Sequence, residues 1–230
     1  ADVKTPNLDK LAKSGMRFDK TYVTFPLCTP SRSSIFTGKM PHNLGVNSNE
    51  IGDDKIKPSE KEFMLSKVLQ QAGYDCAYGG KWHVSEPSMV EGNGFDMIAP
   101  MGDIGLAEKS IDFLKSKIGS EKPFFLTVSF DNPHTICEWA RNEPLAYGNI
   151  PEVTLSRTPQ LPKNHEQGST FPEVLKLEQE ASKKIYPTAN YTEEDWRQYR
   201  YTYYQLIEKV DLEIGKILNA IDDLKLRENT

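Results

Sequence analysis

The chain has three cysteines and four histidines, few enough for the setting of each to be weighed. Cys28 opens the run Cys28-Thr29-Pro30-Ser31-Arg32, which continues to Thr37-Gly38. Thr29 can cap, Pro30 suits an early helical position and Gly38 ends about two turns, so Cys28 sits at the entrance of a helix. Free N–H groups and the positive end of the helix dipole lie there, a setting in which an anion can meet a nucleophile. Arg32 lies one turn further in. A second run, Gly79-Gly80-Lys81-Trp82-His83, and a third, Asp131-Asn132-Pro133-His134, each follow a short apolar segment. Each residue also has a plain reading. A lone cysteine before a proline-started helix is usually packing, Lys81 alone a surface charge, and His83 or His134 alone a satisfied loop histidine.

The elements that must position these runs are well punctuated. Thr5, Pro6, the stripe Leu8, Leu11 and Ala12, and Gly15 outline a first helix, and a short strand is expected over Met16 to Val23. Ser59 and Glu62 have capping-box spacing and open a helix carrying Leu65, Val68, Leu69 and Ala72, closed by Gly73. Tyr74 to Tyr78 reads as a strand, and Leu106, Ile111, Leu114 and Ile118 as a helix ending at Gly119. The run Phe124 to Phe130 is nearly all apolar, as in a strand buried on both faces. Residues 139 to 190 read as a long surface excursion, and Thr192 starts a long helix whose acidic opening Glu193-Glu194-Asp195 suits the dipole. Alternating helices and short strands predict an α/β domain with a covered, mostly parallel sheet. Ligands in such sheets gather at the carboxyl ends of strands, where the loops after Val23, Tyr78 and Phe130 lie.

The bulk numbers narrow the function classes. A hydrophobic share of 37% over 230 residues suits a globular core, and a net charge of -5 favours neither nucleic acid nor an anionic membrane surface. No apolar run reaches the roughly 18 residues of a membrane span, and no signal peptide is visible at Ala1-Asp2-Val3-Lys4. Cys28, Cys76 and Cys137 are too far apart for a zinc site or a disulfide framework, so Cys76 and Cys137 read as packing residues. The tyrosines 199, 201, 203 and 204 read as packing and surface, and His165 carries no assignment.

Taken together, the runs resemble the formylglycine-dependent sulfatases of the alkaline phosphatase superfamily. Cys28-Thr29-Pro30-Ser31-Arg32 matches that family's C-x-P-S-R signature, with Phe36 where its following x-x-x-L-T-G has leucine. Gly73-Tyr74 followed by Gly80-Lys81-Trp82-His83 matches its second signature, and Asn132-Pro133-His134-Thr135 its Pro-His loop. Asp211, Gly215 and Glu228-Asn229-Thr230 resemble its last helix before a metal-binding strand. The resemblance implies a sulfuric ester hydrolase with an alkaline-phosphatase-like core. In that family a maturing enzyme oxidises the cysteine to formylglycine, and one hydroxyl of its hydrate attacks sulfur and expels the alcohol. It further implies that Arg32 holds the hydrated aldehyde and Lys81 contacts sulfate. His83 would help collapse the intermediate, His134 serve the sulfate oxygen or leaving group, and His42 face substrate unless its role is structural.

The resemblance also implies calcium or magnesium at the modified Cys28, a hard cation that wants several oxygen ligands. The family draws these from an Asp-Asp pair before the Thr5-Pro6 helix and from a strand after Thr230, so the site is expected to be incomplete within residues 1–230. Asp53-Asp54 reads as a solvated pair instead. The expected domain is thus a partial N-terminal catalytic domain, 1–230, incomplete at both ends, with self-association through unpaired strands. The implied partners are a sulfated small molecule or glycan and the maturing enzyme, in a periplasmic, secreted or lysosomal compartment. Two other readings stay open: a phosphonate or phosphate monoesterase of the same superfamily, and a non-catalytic fragment that binds anionic glycan or a partner chain.

Overall fold

The computed structural model describes residues 3–49, 64–84, 91–165 and 171–230. The chain divides into two compact units, one made of Ala1–Asp9 and Asn132–Ile214, the other of Lys10–Asp131 and Gly215–Thr230. Asp53-Asp54 and the Ser59/Glu62 box lie outside the described residues.

The helices of the chain begin with α1 (Pro6–Ser14), α2 (Cys28–Thr37), α3 (Pro41–Leu44) and α4 (Leu65–Gln71). The second unit holds a parallel sheet of strands β1 (Asp75–Gly80), β2 (Asp96–Ala99) and β3 (Phe124–Ser129), in the order β2-β1-β3. Helix α5 (Leu106–Ser116) makes the crossover from β2 to β3. β1 and β3 stay in register from Asp75 opposite Phe124 to Gly80 opposite Ser129. The ladder then runs on, with Lys81 N donating to Ser129 O at 2.8 Å. The two strands therefore release their loops side by side.

Gly79 and Gly80 make this closeness possible. A Cβ on Gly80 would stand 2.1 Å from Ser129 O, and its φ of +92° lies in the region that side chains rarely adopt. A Cβ on Gly79 would meet Leu106 Cδ1 at 2.7 Å. A core of Phe36, Leu44, Val46, Met64, Cys76, Tyr78, Trp82, Val84 and Phe95 packs α2 and α3 on the sheet. Phe36 meets Trp82 at 5.3 Å between ring centroids, and Trp82 meets Tyr78 edge-on at 5.1 Å. Such pairs contribute about 0.5–1.5 kcal/mol each beyond their burial.

The other unit carries α6 (Ile136–Ala140), α7 (Glu173–Ile185) and the larger part of α8 (Glu193–Asp223). Its core is Ile136, Leu145, Ile150 and Leu206, with Trp139, Tyr199 and Tyr201 packed against it. Thr192 N and Oγ1 both donate to Asp195 Oδ2 at 2.7 Å, and Asp195 N returns a bond to Thr192 Oγ1, so the expected start of α8 is a reciprocal cap.

Three expectations need correction. Met16 to Val23 forms no strand; no ladder partner reaches it among the described residues, and Met16 and Tyr22 are 80% and 88% exposed. An extended segment without a partner has no backbone bonds to hold it. β3 is half-buried rather than covered on both faces: among the described residues only β1 pairs with it, and an open groove of about 580 Å³ runs along Phe124, Phe125, Leu126 and Val128. The 139–190 stretch is not all surface: Leu145 and Ile150 are buried in a core, although its helix α7 buries none of its residues, and β2 was too short to leave a periodic signal.

Candidate active site

Cys28 is half-buried, a free thiol, and the first residue of α2. The helix starts one residue before Thr29, with Leu27 in extended backbone as its N-cap. The helix N-terminus is tied down locally. Thr29 N donates to Asn49 Oδ1 at 3.0 Å, and Thr24 Oγ1 to Ser34 Oγ at 2.9 Å. At the far end Gly38 takes φ +69° and closes the helix on Ser34 O.

Arg32 joins this helix to the strand ends. Its Nη1 donates to Lys81 O at 2.7 Å and to Ser129 Oγ at 3.0 Å, with longer contacts to Tyr78 Oη and Trp82 O. The Tyr78 hydroxyl also donates to Lys81 O. Burial pushes the Tyr78 phenol above its ordinary value, so it remains a neutral donor. Lys81 leaves β1 with its side chain 6% exposed, and its Nζ donates to Asp131 Oδ1 at 2.7 Å. His83 follows in left-handed backbone, φ +49°, half-buried. A non-glycine residue in that region is uncommon and concentrates at sites of function.

This geometry brings the first two signature runs together: the helix that starts at Cys28 is bolted, through Arg32, to the loop that carries Lys81 and His83. The sulfatase family model matches residues 2–104 and 100–230, nearly the whole chain. The chain belongs to the sulfatase family.

Among its relatives, a Δ4,5-hexuronate-2-O-sulfatase of Bacteroides thetaiotaomicron is 24% identical over 97% of this chain and 48% of its own length. An ulvan-active sulfatase of Formosa agariphila is 26% identical over 100% of this chain and 44% of its own. This sulfatase chain thus spans about half the length of those relatives. A solved 2-O GAG sulfatase superposes with a TM-score of 0.73 at 23% identity, covering 94% of this chain and 49% of that one. The α/β fold is therefore that of known sulfatases.

The remaining expected residues of the sulfatase chain are not part of the Arg32 bridge. His42 stands exposed on α3. His134 belongs to the other compact unit, exposed, just after a cis Asn132–Pro133 bond; there Thr135 Oγ1 donates to Asn132 Oδ1 and Cys137 N to His134 O. No cluster of three or more His, Cys, Asp or Glu able to hold a metal occurs among the described residues. A hard cation needs about six or more oxygens, so these residues do not by themselves fit one.

Sequence reasoning missed Asp131 as the partner of Lys81. Its signal was present: a carboxylate placed directly after an apolar strand, at the edge where ligands gather. Asp103, whose Oδ1 accepts from Asp131 N at 2.6 Å, gave no signal, because only the fold brings residues 28 apart together.

Proposed function

We propose that the protein carrying this chain is a sulfuric ester hydrolase whose nucleophile derives from Cys28. The observation that carries this reading is the Arg32 bridge, which assembles two independent sulfatase signatures at the carboxyl ends of adjacent parallel strands. Oxidised to formylglycine by a maturing enzyme, Cys28 supplies a hydrated aldehyde as the attacking hydroxyl. Calcium or magnesium is the cation expected with it, held with ligands beyond the described residues.

The chain's own residues divide the remaining work. The α2 N-terminus favours negative charge beside residue 28. Arg32 is tied up in holding the helix to the strand loops, so its contribution is to fix residue 28 rather than to move protons. Lys81 offers an ammonium to a sulfate oxygen, where fixed positive charge stabilises a spread-out transition state. His83 and His134 are the proposed proton carriers for breakdown of the intermediate and for the leaving group, and His42 a substrate contact. The substrate class we favour is a sulfated glycan, since relatives are named for hexuronate 2-O-sulfate, ulvan and N-acetylglucosamine 6-O-sulfate. A periplasmic or secreted location goes with such substrates. No helix among the described residues is long and apolar enough to cross a membrane.

The test is turnover of an aryl sulfate and an aryl phosphonate by the matured whole protein and its Cys28→Ala variant. Preferential sulfate release, lost in the variant, is expected. Preferential phosphonate turnover moves the assignment to a monoesterase of the same superfamily. No turnover of either ester leaves the non-catalytic reading.

A further inference from the structure

Lys81 is not a freely moving cation. Its backbone is fixed on both sides, N to Ser129 O at 2.8 Å and O to Arg32 Nη1 at 2.7 Å. Its ammonium is fixed too, by Asp131 Oδ1 at 2.7 Å, with the two side chains only 6% and 13% exposed. A buried ammonium without a counter-charge is costly, and a carboxylate at hydrogen-bond distance offsets part of that cost. Asp131 is itself anchored, its N–H donating to Asp103 Oδ1 at 2.6 Å, and Asp103 is buried in the turn that leads into α5.

We infer that Asp131, backed by Asp103, is a positioning residue for Lys81. An ammonium has three N–H donors, and one of them is committed to Asp131. The direction of that bond fixes where the other two point, and so where an anion must sit to receive them. The chain Asp103–Asp131–Lys81 draws on three separate elements: the turn before α5, the loop after β3 and the end of β1. It thus transmits the geometry of the sheet edge to the charged group. Asp131 need not touch substrate; it acts through Lys81.

This inference rests on Lys81 being an anion contact, and the experiment separates the two. kcat and KM for an aryl sulfate, and inhibition by inorganic sulfate, are measured for the matured whole protein, Asp131→Asn, Lys81→Met and the double variant. Asp131→Asn is expected to lower kcat/KM about 10- to 100-fold, the scale of a small misplacement of a reacting group. Sulfate inhibition should weaken with it, and both effects should vanish in the Lys81→Met background, since the residue acts only through that side chain. If Lys81→Met is itself without effect, the reading of Lys81 fails. If Lys81→Met is impaired but Asp131→Asn is not, or binds sulfate more tightly, or costs the same in both backgrounds, the inference about Asp131 alone is overturned. Should Asp131→Asn not fold, Asp131→Glu is measured in the same cycle, with retained charge at an altered distance, and the same outcomes decide.

Discussion

Arg32 Nη1 donates to the carbonyl oxygen of Lys81 at 2.7 Å, linking a helix that begins at a cysteine to the strand end that carries a buried lysine. The bond makes Arg32 a structural fastener of the site. Arg32→Ala should cost about 1.5–3 kcal/mol, the range for hydrogen bonds to a charged donor. Arg32→Lys keeps the charge but loses the planar fork, and should also fall short of the native protein. Urea denaturation of the two variants checks both.

Gly80 is predicted to tolerate no side chain. Gly80→Ala places a Cβ 2.1 Å from the backbone oxygen of Ser129, in a φ of +92°, so the β1–β3 pairing must shift. A loss of about 2–4 kcal/mol is expected from strain and overpacking together. Amide hydrogen exchange at Lys81 N, which donates to that same oxygen, should quicken.

Asp211 holds the start of α1. Its Oδ2 accepts from Asn7 N and Nδ2 at 3.1 and 2.9 Å, its Oδ1 from Leu8 N at 2.9 Å, and it is 1% exposed. Asp211→Ala leaves helix N–H groups unpaired at a dipole end that favours negative charge, and should cost about 2–3 kcal/mol. Circular dichroism against denaturant reads the loss, with Asp211→Asn expected to recover only part.

Alkaline pH should weaken the fold in a defined window. Burial pushes the Tyr78 phenol up, and burial likewise pushes Tyr199 up to about 12. Both phenols hold their protons more tightly folded than unfolded. Their contribution is thus intact below about pH 10 and lost as pH rises through the folded values. Tyr78→Phe should flatten the decline in melting temperature above about pH 10, while an unchanged decline contradicts the account.

The parts of this architecture that could be read from sequence are those set by local rules. Pro6 and Gly15, Thr192 and Ile221, and Leu106 and Gly119 bracketed α1, α8 and α5 because caps and apolar stripes are local signals. Cys28 at the head of α2 followed from Pro30 and Gly38 in the same way. What could not be read depends on partners distant in sequence. Met16 to Val23 has strand-forming residues but, among the described residues, no ladder to join. Phe124 to Ser129 is apolar enough for a central strand, yet its burial depends on what lies on its free edge. Asp131 and Asp103 became visible only when β1, β3 and the turn before α5 met.

The central claim, that Cys28 is the precursor of the nucleophile, is tested most directly by peptide mass spectrometry on the segment ending at Arg32, from protein produced together with a sulfatase-maturing enzyme. The account predicts that Cys28 carries the mass of an aldehyde in place of its thiol, while Cys76 and Cys137 stay unmodified. An intact thiol at Cys28 in active, fully matured protein would contradict it.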